Sequence, residues 1–260
     1  MLALYSALLS GCATRVDDVA ADQRGAVAGK QLNFQQTALD PANGGRLVRA
    51  DALRSGDIIL SATNGVTSAG IRLLTLAPVS HAAIYLGDDG VAEAVGGGIV
   101  VRPLADVLNE ESVVVAFRHP ALLDEHAGRI RDFSKSKVGG SYNHVGVVLL
   151  APFSLERRAC ELPLLPEAMR DFCLRGIATI QLGAGSNDRF FCSQFVLEAY
   201  RAAGLPITDA DPRWVSPADI LHMREGDVPS MKIHQALVYV GHLKNQDPAD
   251  ADRVGDALLR

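Results

Sequence analysis

No Lys/Arg cluster runs along this chain, and none of its apolar runs approaches the ~20 residues that span a bilayer. The formal net charge is −5, so there is no basic field for a phosphate backbone, and nucleic-acid binding is set aside. Cysteine is scarce, with four in 260 residues, and no Cys/His cluster has metal-ligand spacing. Gly96-Gly97-Gly98 follows a strand-like run but lacks the helix and spacing of a dinucleotide loop. No metal or other cofactor is expected, and no internal repeat or low-complexity block is visible.

What is present is the profile of a soluble globular protein with an adequate core: 48% hydrophobic and 21% charged, with 24 glycines and 12 prolines. One domain plus appendages is the expected organisation. The N-terminus, MLALYSALLSGCATR, carries a short apolar run that suits the core of an export signal. Its end, Leu8-Leu9-Ser10-Gly11-Cys12, resembles a bacterial lipobox, although no Lys or Arg precedes the run. That resemblance implies cleavage before Cys12 and acylation of Cys12, with chains whose burial at about 0.8 kcal/mol per CH₂ anchors the protein to a membrane.

Residues 12–46 are rich in Ala, Gln, Asp and Gly without a sustained period and read as a flexible tether. Structure is expected from Leu47. SGDIIL, residues 55–60, opens a strand after a Gly-Asp turn, and residues 67–76 read as a short amphipathic helix. Residues 80–95 form two apolar strands about Gly87-Asp88-Asp89-Gly90, hence a hairpin, and GIVVRPL and SVVVAFR continue an antiparallel sheet. A helical period runs from Asp124 to Lys137, before Gly139-Gly140. Residues 151–186 break the rhythm with three prolines and read as a partly helical insertion; residues 246–260 are a polar tail.

Within 189–204, RFFCSQFVLEAYRAAG, apolar or small residues at 192, 195, 196, 199 and 203 mark one buried helical face. Gly204-Leu205-Pro206 ends that helix. Cys192 falls in its first turn, where partial positive charge favours a thiolate. An extracytoplasmic compartment permits a bridge between Cys160 and Cys173 in the insertion, the other reading being two buried thiols. Either way Cys192 is the thiol left without a structural assignment. A nucleophilic thiol needs a base, and of seven histidines His81 alone opens an apolar strand, where a strand end meets a cleft. His119, His126, His144, His222, His234 and His242 lie in loop, helix or tail contexts and are read as structural.

The segments TNGVTSAGIRLLTLAPVSHAAIYLGDDGVAEAVGGGI, SYNHVG, FFCSQFV, WVSPADILHMR and YVGHLK, behind the lipobox, resemble the YaeF/YiiX-type lipoproteins. These are circularly permuted members of the NlpC-type papain-like superfamily, related also to lecithin:retinol acyltransferase-like proteins. The resemblance covers about residues 47–245, with the histidine ahead of the cysteine as in the permuted branch. It implies an α+β fold in which an antiparallel sheet or partial barrel packs against the nucleophile helix. It also implies that Cys192 is the nucleophile, His81 the base, Glu93 the residue that orients the imidazole, and Tyr142 a cleft residue beside the thiolate.

Hairpin geometry leaves the Glu93 assignment open. A symmetric two-residue turn at Asp88-Asp89 pairs Ile84 with Glu93, on the opposite face from His81. A three-residue loop pairs Tyr85 with Glu93 and restores the face, but roughly 13 Å along the strand from His81. Contact therefore requires a bulge, strong twist or an irregular strand end. A buried Glu93 among Val91, Ala92, Ala94 and Val95 would need a hydrogen-bonding partner, for which His81 is the economical candidate; an exposed Glu93 would not.

The function these readings imply is a lipoprotein cysteine peptidase or amidase. It would hold an acyl-enzyme on Cys192, act on cell-wall peptides or related amides, and be lipid-anchored in the cell envelope at the periplasmic face of the outer membrane. Two alternatives stand beside it: a lipid-directed thiol acyltransferase or hydrolase, and a catalytically silent binding lipoprotein.

Overall fold

In this computed structural model of the chain, residues 45–63, 78–141, 190–224 and 231–245 are described, with residues 14–19 and 29–34 described as backbone. Among the described residues, the strands are β1 (Thr14–Val19), β2 (Gly29–Phe34), β3 (Ile58–Ala62), β4 (His81–Gly87), β5 (Gly90–Val95), β6 (Gly98–Pro103), β7 (Val113–Arg118) and β8 (Val238–Lys244). The helices are α1 (Leu104–Glu110), α2 (Asp124–Lys137), α3 (Cys192–Ala202) and α4 (Pro217–His222). Strands β3 to β8 form one six-stranded antiparallel sheet in the order β6-β5-β4-β3-β7-β8, so the fold is α+β. Strands β1 and β2 pair only with each other, within the stretch read from sequence as a tether. The segment 67–76, the insertion 151–186, the tail 246–260, and Cys12, Tyr142, Cys160 and Cys173 lie outside the described residues.

Side-chain alternation along the strands gives the sheet two apolar faces. On one, Ile58, Leu60, Ala82, Ile84, Leu86, Ala92, Ala94, Val115 and Phe117 form a buried cluster with Phe195, Val196, Ala199 and Tyr200 of α3. On the other, Ile59, Ala83, Val91, Val114, Ala116 and Val240 meet Leu104 and Val107 of α1. Helix α1 had no counterpart in the sequence reading. It follows β6 directly, and its first N–H donates to Asp89 O at 2.8 Å, which docks it on the hairpin turn. Strand β8 was also unassigned; it closes the far edge against β7.

Helix α2 occupies the residues expected, with Asp124 and Glu125 in its first turn and Lys135 and Lys137 in its last, as the helix dipole favours. Helix α3, with the Ala203 that caps its C-terminus, buries Cys192, Phe195, Val196, Ala199 and Ala203, the stripe read from the sequence, and also Ser193, Gln194, Leu197 and Tyr200. It packs across β4 and β5, between α2 and the 3-10 turn Pro212–Trp214. Two polar ties fix its position: Ser193 Oγ donates to Val215 O at 2.5 Å, and Tyr200 Oη donates to Gly56 O at 2.5 Å. Gly56, at φ +94°, makes the turn that starts β3 and presents that carbonyl.

Below β3, Asp57 is fully buried and accepts a two-pronged contact from Arg118 (Nε to Oδ1 2.7 Å, Nη2 to Oδ2 2.6 Å). It also accepts the Arg54 N–H at 2.8 Å. This pair joins β7 to the entrance of β3 by charge-assisted hydrogen bonds, and Arg118 Nη2 also donates to Ala52 O at 3.0 Å.

The β4–β5 hairpin corrects the register expected from a symmetric turn. The turn is indeed two residues, with Gly87 opposite Gly90 and both Asp88 (φ 49°) and Asp89 (φ 62°) left-handed, a type I′ geometry that Asp tolerates. Immediately beyond it the register shifts between Tyr85 and Gly87, so Leu86 is an extra residue on β4. Tyr85 then faces Val91, Ile84 faces Ala92, and Glu93 faces Ala83. Glu93 thus shares a face with His81, one diagonal step away, where long side chains meet.

Candidate active site

His81 opens β4 at the end of the sheet, beside Ser61 of β3. Its Nε2 lies 2.6 Å from Glu93 Oε2. The Glu93 side chain is only 2% exposed, and the His81 side chain 19%, so the carboxylate is the buried partner and the ring reaches the surface. Of the two sequence alternatives for Glu93, the structure gives the buried, partnered one.

The third group is Cys192, the first residue of α3 and 6% exposed. The His81 ring and the backbone N–H groups of Ala82 and Ser193 lie close enough to its sulfur to stabilise the thiolate. With Nε2 taken by Glu93, Nδ1 is the ring nitrogen left for the sulfur. Pairing between β4 and β5 stops at Ala83 and Glu93, and Ala82 lies one residue beyond it. The N-terminus of α3 enters where the two strands part, and no side chain caps it: Phe191, the residue before Cys192, supplies no capping hydrogen bond. In that uncapped first turn the Ser193 N–H is the donor set against the sulfur.

Electrostatics follow from this packing. Burial disfavours the charged ring of His81, but the thiol and the carboxylate on its two sides outweigh it and push His81 up to about 10. Burial likewise opposes a thiolate at Cys192, yet the hydrogen bond and positive charge of His81, with the N–H groups of Ala82 and Ser193, hold the thiol below its ordinary range. Glu93 is held down, against burial, by His81 and Arg102. Together these shifts favour a thiolate–imidazolium pair backed by a carboxylate, a set of groups chemically able to serve as nucleophile, proton donor and orienting group.

Two residues near this line escaped the sequence reading. Arg102 of β6 forms an ion pair with Glu93 Oε1 and another with Glu110 at the end of α1. Glu111, 5% exposed, is pushed up by burial; the charge of Glu93 adds to that, while His81, Arg102 and a hydrogen bond from Ser61 oppose it. Arg102 could have been placed from the sequence. Gly96-Gly97 is a two-residue turn that pairs Val95 with Gly98 and hence Glu93 with Val100, leaving Arg102 on the diagonal. Glu111 leaves no such signal, because it caps a helix that was not foreseen. Among the described residues there is no group of three or more His, Cys, Asp and Glu side chains placed to hold a metal ion.

No protein-family model matches the chain. It is 40% identical over 200 residues to "Probable lipoprotein peptidase YaeF" of Escherichia coli (strain K12), covering 76% of this chain and 73% of that protein. The chain belongs to the YaeF/YiiX-type family. Among solved structures it is similar to metalloprotein yiiX from Escherichia coli O157:H7, at 19% identity and a TM-score of 0.40, over 72% of this chain and 88% of the other. Among the described residues of this family member, no helix is long and apolar enough to cross a membrane.

Proposed function

We propose that this protein is a lipoprotein cysteine peptidase or amidase with a permuted papain-like (NlpC-type) catalytic domain over residues 47–245. The observation that carries the reading is the His81 ring held between the Cys192 thiol and the Glu93 carboxylate, at an uncapped helix N-terminus. The naming of its relative YaeF as a probable lipoprotein peptidase agrees with it.

Cys192 Sγ, as thiolate, attacks the carbonyl carbon of an amide, and the Cys192 backbone N–H helps hold the developing oxyanion. His81 gives its proton to the leaving nitrogen as the C–N bond breaks, which releases the amine and leaves a thioester on Cys192. His81, now neutral, takes a proton from water, whose oxygen attacks the thioester. The C–S bond breaks, the acid departs, and the thiolate–imidazolium pair is restored. Glu93 holds the ring between the two positions throughout, and Tyr142 lines the cleft.

In this reading residues 1–11 are a signal peptide, Cys12 is acylated, residues 12–46 tether the domain, residues 151–186 are an insertion within it, and residues 246–260 are a polar tail. The enzyme faces the periplasm from the outer membrane and acts on cell-wall peptides or related amides. Incubation with cell-envelope extract, followed by intact-mass measurement, should give an acyl adduct on Cys192 that is missing in Cys192→Ala. A wild-type protein that never acquires Cys192-dependent mass refutes the covalent mechanism.

A further inference from the structure

We propose that Arg102 is a positioning residue for this site, keeping the Glu93 carboxylate turned toward His81 from the neighbouring strand β6. The inference rests on the Cys192–His81 reading above and extends it by one residue. Its basis is the register of three adjacent strands. Glu93 of β5 faces Ala83 of β4 on one side and Val100 of β6 on the other. His81 and Arg102 are each two residues along from those partners, on opposite diagonals of the same sheet face. The carboxylate is therefore held at both ends: Oε2 meets His81 Nε2, and Oε1 meets Arg102 Nε. The contact with Arg102 is an ion pair rather than a well-directed hydrogen bond, and neither Glu93 Oε1 nor Arg102 Nε has a hydrogen-bond partner among the described residues.

Charge makes the contact consequential. Thiolate, imidazolium, carboxylate and guanidinium alternate in sign from Cys192 to Arg102 and sum to zero in a largely buried row. Without Arg102 the row carries one net negative charge beside Glu111, a second buried carboxyl that interacts with both His81 and Glu93. Desolvated excess charge is relieved by taking up a proton. The proton goes to Glu93, which then no longer stabilises the imidazolium, or directly to the thiolate; both lower the thiolate fraction at neutral and acidic pH. Glu110, the other partner of Arg102, has a 64% exposed side chain and is screened by water, so it anchors the guanidinium weakly.

The test is the pH profile, from 5 to 10, of Cys192 alkylation by iodoacetamide in the full chain, with thermal melting to verify folding. Arg102→Met should alkylate about tenfold more slowly than wild type near pH 6, the effect of about one unit in the thiol pKa, and match it near pH 10. Arg102→Lys, which keeps the charge, should recover most of the rate. The double variant Arg102→Met, Glu93→Gln should be no slower near pH 6 than Glu93→Gln alone. Where Arg102→Met does not fold, Arg102→Gln keeps a donor without the charge and should show the same loss. An Arg102→Met profile that overlays wild type overturns the inference while leaving the Cys–His pair intact, as does a loss that adds fully to that of Glu93→Gln. A wild-type Cys192 that alkylates like an ordinary thiol overturns the underlying reading and this inference with it.

Discussion

Ala83, not Ile84, lies directly across from Glu93. That one-residue offset comes from the bulge at Leu86 and decides which side of the sheet the carboxylate occupies. With Ile84 as partner, Glu93 would project into the cluster of Ala82, Ile84 and Phe195, a buried charge with no cation near it. With Ala83 as partner it reaches His81 at 2.6 Å. Replacing Glu93 with Gln keeps the shape and removes the charge that stabilises the imidazolium. Glu93→Gln is expected to fold normally and to lower the rate of Cys192 alkylation near pH 6 by about tenfold or more. A profile identical to wild type, with full activity, removes Glu93 from the proposed mechanism.

His81 is pushed up to about 10, against its own burial, by Cys192 and Glu93. A raised histidine keeps its proton through neutral pH, so the proton donor for the leaving amine is lost only as pH rises through about 10. Amide cleavage should therefore show its alkaline limb near pH 10 rather than near the ordinary histidine value of about 6.5. Alkylation should not fall there, since the thiolate persists. In His81→Ala the thiol loses its main stabilising charge, and alkylation near pH 6 should drop at least about tenfold while recovering above pH 9. An unchanged rate at pH 6 in that variant means the thiolate owes nothing to His81.

Much of this was legible in the chain itself, and the exceptions have physical reasons. Strand alternation and the Gly-Asp-Asp-Gly turn gave the β4–β5 hairpin, and helical periodicity gave α2 and the buried stripe of α3. Leu86 was not identified as a bulge residue, because a bulge adds a residue without altering the apolar pattern around it. Only contact between His81 and Glu93 requires one. Helix α1 is seven residues long and buries two side chains, Leu104 and Val107, too few to register as a period. Strand β8 buries Val240 to Leu243, but Gly241 and His242 interrupt its apolar residues, so no alternation marks it in the sequence.

Asp57 and Tyr200 anchor the scaffold in different ways, which gives two stability changes of unequal size. Asp57→Ala leaves the Arg118 guanidinium and the Arg54 N–H without their acceptor in a buried setting, a loss of about 3 kcal/mol. Tyr200→Phe removes one hydrogen bond to Gly56 O and strands that carbonyl, costing about 1–2 kcal/mol. Thermal melting should rank them in that order, at roughly 2–4 °C per kcal/mol for a domain of this size. Equal melting temperatures for Tyr200→Phe and wild type mean that water replaces the lost hydroxyl at no cost.

The proposed bridge between Cys160 and Cys173 has a direct readout. A short closed loop of this kind stabilises by about 3 kcal/mol on chain-entropy grounds. Protein lacking Cys12, denatured without reductant, should then titrate one free thiol, that of Cys192. Three free thiols rule the bridge out.

Membrane attachment is the last expectation, and it rests on one atom. If Cys12 carries two or more acyl chains, their burial at about 0.8 kcal/mol per CH₂ holds the protein on a bilayer without any spanning helix. Cys12→Ser removes that attachment point and leaves the proposed catalytic groups untouched, since Cys192 lies on α3, His81 on β4 and Glu93 on β5. In fractionated cells the wild-type protein should sediment with the membranes and incorporate labelled palmitate. Cys12→Ser should lose the label and the membrane-bound mature form while retaining rapid Cys192 alkylation near pH 6. A Cys12→Ser protein that is still found in the membrane fraction would mean that the anchor is some other part of the chain.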